Sequence, residues 1–187
     1  YHSVSRFNFR RDWPTKEDLA SKSIFEKVEN SKPLFIPSYN PSLYFRARLP
    51  FRPLTLGFSA QNTLDFYDTR EYEHRKSKVL APVNKLYDLF MAHFHRPDLH
   101  QHMYGQEGVN FDERRLEELY EETDELARKI VNYFEDDFDV IIFLSDHGLP
   151  KGLEHNKNAF YSCNAEMFES TPHITDFHDK ILELVDK

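Results

Sequence analysis

At 187 residues, with 40% apolar and 15% aromatic side chains, the chain is long enough to bury one sizeable core and falls within the usual size of one domain. Its 24 basic and 32 acidic residues give a net charge of -8, which leaves no broad positive field for a phosphate backbone and excludes a nucleic-acid polymer as the expected partner. No apolar run approaches the roughly 20 residues that span a bilayer, and Tyr1 to Arg11 is basic and aromatic rather than signal-like, so a soluble protein with no membrane partner is expected.

In chain order, Ser23 to Ser31 is expected as a short helix, leading into a strand at Leu34-Phe35-Ile36 that Pro37 stops. Ser38 to Gly57, with prolines at 41, 50 and 53 and arginines at 46, 48 and 52, reads as an ordered surface excursion. A charged helical stretch from about Arg70 to Lys85, ended or kinked by Pro82, precedes an apolar strand from Leu86 to Phe94. The clearest element is Asp112 to Phe134, where Leu116, Leu119, Tyr120, Leu126, Ala127, Ile130 and Phe134 recur at three- and four-residue steps. That spacing predicts an amphipathic helix.

Beyond an acidic break, Phe138 to Leu144 is a continuous apolar run rich in β-branched residues, expected as a central parallel strand buried on both faces. Cys163, the single cysteine, has no partner for an internal disulfide, which fits a reducing compartment and makes the cytoplasm the expected location. A closing helix is expected from Thr175 to Val185, with Phe177, Ile181, Leu182 and Val185 packing on the sheet. Helices alternating with buried strands predict an α/β fold: one domain over residues 1–187, built on a mostly parallel sheet covered by helices on both faces.

The chemistry gathers where the two best strands end, the edge at which open parallel sheets place their sites. After the first strand come His95, Asp98, His100 and His102; after the second come Ser145-Asp146-His147-Gly148 and then His155. Aspartate and neutral imidazole together suit a borderline divalent ion such as zinc, manganese or iron. A lone histidine is usually structural, and Asp and Gly also serve turns and caps. Two such clusters, each directly after a buried strand, favour the metal.

These residues resemble the alkaline phosphatase superfamily, in particular its type I phosphodiesterase/nucleotide pyrophosphatase and cofactor-independent phosphoglycerate mutase branches. The resemblance rests on Tyr87-Asp88-Leu89-Phe90 leading to Asp98-x-x-x-His102, on Ser145-Asp146-His147-Gly148, and on His155 ahead of Ala159-Phe160-Tyr161-Ser162. It covers Ser23 to the C-terminus and is strongest from Leu86 to Asn164. It implies that Asp98, His102 and His155 hold one divalent ion, while Asp146 and His147 help to hold a second, with zinc or manganese the expected metals. The chain departs from the family at Gln101, where a glycine is frequent, and this leaves His100 as an alternative ligand.

The resemblance also implies a hydrolase acting on a small phosphorylated substrate, through a Ser or Thr nucleophile on the family's first strand and following helix. Ser3, Ser5 and Thr15 have no strand ahead of them to present a hydroxyl, so the nucleophile is expected upstream of Tyr1. The catalytic residue is thus unassigned, and the chain reads as an alkaline phosphatase-like domain incomplete at its N-terminus. It is expected to be an excerpt of a longer enzyme or a split member, completed by an N-terminal segment or by homo-oligomerisation. Two other readings stand beside the phosphodiesterase: a mutase-like phosphotransferase that clamps a carboxylate with Arg46, Arg48 and Arg52, and a catalytically inactive metal-binding scaffold.

Overall fold

The computed structural model describes residues 16–18, 20–37, 39–40, 60–82, 86–106, 110–151 and 154–186. Ser3, Ser5, Thr15 and the arginines at 46, 48 and 52 lie outside the described residues.

A short helix α1 (Ile24–Lys27) opens at Ser23, whose backbone N–H donates to Glu26 Oε2 at 2.9 Å. Strand β1 (Ser31–Leu34) follows, earlier than the expected Leu34-Phe35-Ile36, because Phe35 takes a φ of 61° and turns the chain out of extended geometry. Asn40 then closes the turn, donating to the Pro33 carbonyl at 2.7 Å and accepting from the Ile36 N–H at 2.9 Å. Strand β2 (Leu89–Ala92) lies parallel to β1, Ser31 opposite Leu89 and Leu34 opposite Ala92. Between the two strands in sequence runs the long helix α2 (Ala60–Val79), so this unit is strand, helix, parallel strand.

α2 starts well before the expected Arg70 and ends three residues short of Pro82. It has no apolar stripe, since its buried positions include Thr63, Asp68, Glu71 and Arg75 beside Tyr72 and Val79. A short helix α3 (Asp98–Tyr104) leads through a small antiparallel pair, β3 (Gly105–Gln106) with β4 (Asn110–Phe111), into α4 (Glu113–Phe134). Asp112 caps α4, its carboxylate accepting the Arg115 N–H at 3.0 Å. The buried face of α4 is Leu116, Leu119, Leu126 and Phe134. Leu119 is 0% exposed, which contributes roughly 2 kcal/mol of transfer free energy. At the far end of α4, Phe134 sits 5.2 Å from the Phe90 ring of β2 and 5.6 Å from Phe138, tying the helix to the parallel pair.

Strand β5 (Ile142–Leu144) corrects the expectation of a central parallel strand over Phe138 to Leu144. It is three residues long, half-buried at Ile142 and Phe143 and exposed at Leu144 rather than buried on both faces, and it pairs antiparallel with β8 (Tyr161–Cys163), Ile142 opposite Cys163. Between them stands the hairpin of β6 (Gly148–Lys151) and β7 (Glu154–Asn156). The closing helix α5 (Asp176–Val185) packs on β8, as Phe177 lies 5.2 Å from the Tyr161 ring and 5.0 Å from Phe168. Among the described residues the fold is therefore mixed α/β, with one small parallel pair, three antiparallel pairs and helices. No helix of the described residues is long and apolar enough to cross a membrane.

Candidate metal centre

Five residues separate α3 from β2, and α3 carries Asp98 and His102 one turn apart, so both side chains leave the same face of the helix. The loop after β5 carries Asp146 and His147, and the β6–β7 hairpin folds His155 back onto His147, with rings stacked at 3.9 Å and 16°. Three chain segments thus converge at one rim. Asp98 Oδ1 lies 3.5 Å from His102 Nε2, 3.8 Å from His147 Nε2 and 3.7 Å from His155 Nε2. Asp146 Oδ1 stands 3.5 Å from His147 Nε2 with its side chain 83% exposed, at the outer margin of the group.

Two details suit these side chains to a cation. Asp98 Oδ1 is buried without a hydrogen-bond partner among the described residues although the whole side chain is 44% exposed, its nearest imidazole nitrogen standing 3.5 Å away. An unsatisfied buried carboxylate oxygen is costly unless a cation or a donor meets it. His147 Nδ1 is 3.0 Å from the Gly148 carbonyl oxygen, which can only accept, so Nδ1 bears a hydrogen and Nε2 is the nitrogen left to face Asp98 and the rim, where it is free to act as a metal ligand. Asp98, His147 and His155 each offer a ligand atom within 4.8 Å of the others, a set able to hold a metal ion. His102 joins that set edgewise, its Nε2 2.8 Å from His155 Nε2; without a cation such a pair coexists only as one donor and one acceptor.

The family model of the type I phosphodiesterases / nucleotide pyrophosphatases matches residues 6–166. The chain belongs to this family. It is thereby a member of the alkaline phosphatase superfamily, a group of metal-dependent enzymes that act on phosphoric esters. No curated protein and no solved structure matches the chain. The matched span contains α3, the Asp146-His147 loop and the β6–β7 hairpin, so it includes all five converging residues.

Gly148 is a second reason for the Asp-His-Gly sequence. A Cβ built there would meet the Asn158 carbonyl oxygen at 2.2 Å and Asn156 Cβ at 3.2 Å, so this strand position tolerates only hydrogen. Gly148→Ala is expected to push the hairpin apart, lowering both the unfolding temperature and the zinc affinity because His155 leaves His147. Calorimetric titration and thermal unfolding check both effects, and unchanged values for the two would contradict this role of the close approach.

His100, the alternative ligand, faces away from the rim and is fully buried against α2. Sequence reasoning missed the neighbours that surround it: Asp65 and Asp68 on α2, and Arg96, whose Nε donates to Asp68 Oδ2 at 2.5 Å and Nη1 to Glu122 Oε2 at 2.6 Å. The guanidinium of Arg96 also stacks 4.3 Å above the Tyr72 ring. Burial pushes the Tyr72 hydroxyl up to about 12, a shift that Arg96 opposes.

His93 and His95 lie behind the rim, their rings 4.8 Å apart. Arg75 donates to the His93 carbonyl oxygen and places Nη1 3.2 Å from His93 Nδ1, which must therefore accept. Burial, reinforced by Arg75, lowers His93 to about 4 and His95 to about 3. Both groups bind fewer protons folded than unfolded below their ordinary value of 6.5. Their contribution is thus complete above that value and is lost as pH falls toward about 4 and about 3. Each imidazole is expected to remove up to about 1.4 kcal/mol of stability per pH unit within its window. Urea unfolding of wild type and His95→Gln between pH 7 and pH 4 checks this, the variant being expected to show the shallower dependence.

Proposed function

We propose that the chain is the ligand-bearing part of a two-metal phosphoric ester hydrolase, one α/β domain that acts on a small phosphodiester. Asp98, His102 and His155 would hold one divalent ion, and Asp146 and His147 would help to hold a second. The observation that carries the reading is the buried Asp98 Oδ1, which accepts no hydrogen bond among the described residues and has three imidazole nitrogens around it, in a chain of the type I phosphodiesterase family. The mixed carboxylate and imidazole donors fit zinc or manganese.

Bound divalent ions supply Lewis acidity to a phosphoryl oxygen and spread the charge that builds up during displacement at phosphorus. The chain's own residues do the positioning. Asp98 brings the negative charge to the centre of the rim, His147 is locked in one tautomer by the Gly148 carbonyl, and the hairpin sets His155 against it. Asp146 is the most exposed of the five. The Ser145 hydroxyl donates to the His147 carbonyl oxygen and is spent on the loop, so it is not taken as the nucleophile.

Binding of inorganic phosphate to the full chain, measured with and without zinc, tests this reading. Phosphate is expected to bind only with zinc present and to be lost in His147→Ala; equal phosphate binding with and without metal would contradict it. Turnover of an aryl phosphodiester that His147→Ala abolishes would keep the hydrolase and put the nucleophile within the chain itself.

A further inference from the structure

α3 has two working faces. Asp98 and His102 leave one of them, four residues apart; His100 and Tyr104, again four apart, leave the other, their rings stacked at 5.9 Å and 19°. That second face meets α2. His100 Nε2 lies 3.2 Å from Asp65 Oδ1, the Tyr104 hydroxyl donates to Asp65 Oδ2, and His100 Nδ1 faces Asp68 Oδ2 at 3.3 Å without a hydrogen bond. Arg96, two residues ahead of Asp98, completes the anchor through Asp68 and through Thr69 Oγ1 at 3.1 Å. His100 is fully buried and Asp68 and Arg96 nearly so.

A helix of seven residues is too short to hold its shape in water, so its direction and rotation are imposed from outside. Apolar packing would fix its position without burying ions, but it is non-directional and leaves rotation about the axis loosely set. Hydrogen-bonded ionic groups are directional. Rotation is what the rim depends on, because one residue corresponds to about 100° of turn, and a small rotation carries Asp98 and His102 away from His155.

We infer that Asp65 and Asp68 of α2, acting through His100, Tyr104 and Arg96, are positioning residues of the metal rim. They hold α3 at the rotation that presents Asp98 Oδ1 and His102 Nε2 to His155, and they act through these anchors rather than as ligands. The inference rests on the metal-binding reading above and extends it to a set of residues on a different helix.

Asp65→Asn and Tyr104→Phe, made singly in the full chain, test it by calorimetric zinc titration together with thermal unfolding of the metal-free form. Asp65 keeps 32% of its side chain exposed and both replacements are nearly isosteric, so both variants are expected to fold. Val79→Ala is the control: Val79 is 2% exposed and lies about 20 Å along α2 from Asp65. The zinc dissociation constant is expected to rise about tenfold in each anchor variant. It is expected to stay within about twofold of wild type in Val79→Ala even though that variant melts earlier. A merely structural role would weaken zinc binding in step with lost stability, Val79→Ala included. Unchanged zinc affinity in both anchor variants, or a loss in Val79→Ala equal to theirs, would overturn the inference. A wild-type chain that binds no zinc would remove the metal-binding reading, and the positioning role with it.

Discussion

Asp98→Ala is expected to lower zinc affinity by more than about a hundredfold, beyond the roughly 10- to 100-fold that loss of an outer partner costs, while the metal-free chain stays folded. Asp98 Oδ1 is the atom common to the contacts with His102, His147 and His155, and it brings negative charge among rings that are neutral when they bind metal. Its removal costs the metal-free fold little, since that oxygen has no hydrogen-bond partner to lose among the described residues. Asp146→Ala is expected to cost less affinity, because that side chain is mostly solvated and reaches only His147 within the group. Titration of the two variants side by side checks the order, and an equal loss in both would argue that the carboxylates share the charge evenly.

Arg96→Ala is the largest expected loss of stability. Asp68 and Arg96 are both 4% exposed at the side chain, and removing one partner of such a pair leaves a buried charge uncompensated, a cost of about 3–5 kcal/mol. The Glu122 contact adds less, as that carboxylate is 44% exposed and screened by solvent. Exchanging both members for apolar residues, Arg96→Met with Asp68→Leu, is expected to recover much of the lost stability by removing the stranded charge. Urea denaturation of the single and double variants checks this; a single variant within about 1 kcal/mol of wild type would mean that water reaches Asp68.

How much of this could be read from the residues differs from element to element. α4 was legible because its leucines and Phe134 keep helical spacing and Asp112 marks the start. α2 was not, for its first ten residues show no regular apolar spacing, and its buried charges are held by pairing: Asp68 with Arg96 far along the chain, Glu71 and Arg75 with each other one turn apart. The Arg96–Asp68 contact spans 28 residues and His100–Asp65 spans 35, and no local pattern signals either. The apolar run Phe138 to Leu144 announced a strand but neither its exposure nor its neighbour: Ile142 and Phe143 are only half-buried and Leu144 is exposed, and pairing direction depends on the loop that brings Tyr161–Cys163 back antiparallel. The converging residues were legible because aspartates and histidines followed the two apolar runs. The duty of Gly148 was not, because the close approach of Asn158 exists only after folding.

The most direct test of the central claim is X-ray absorption at the zinc edge on the zinc-loaded full chain, compared with Asp98→Ala. The account predicts a first shell of nitrogen and oxygen at about 2.0–2.2 Å, with the outer-shell scattering of imidazole, that is lost in the variant. A sulfur shell at about 2.3 Å would place zinc on Cys163, the single thiol of the chain, and would contradict the account; so would a spectrum indifferent to Asp98.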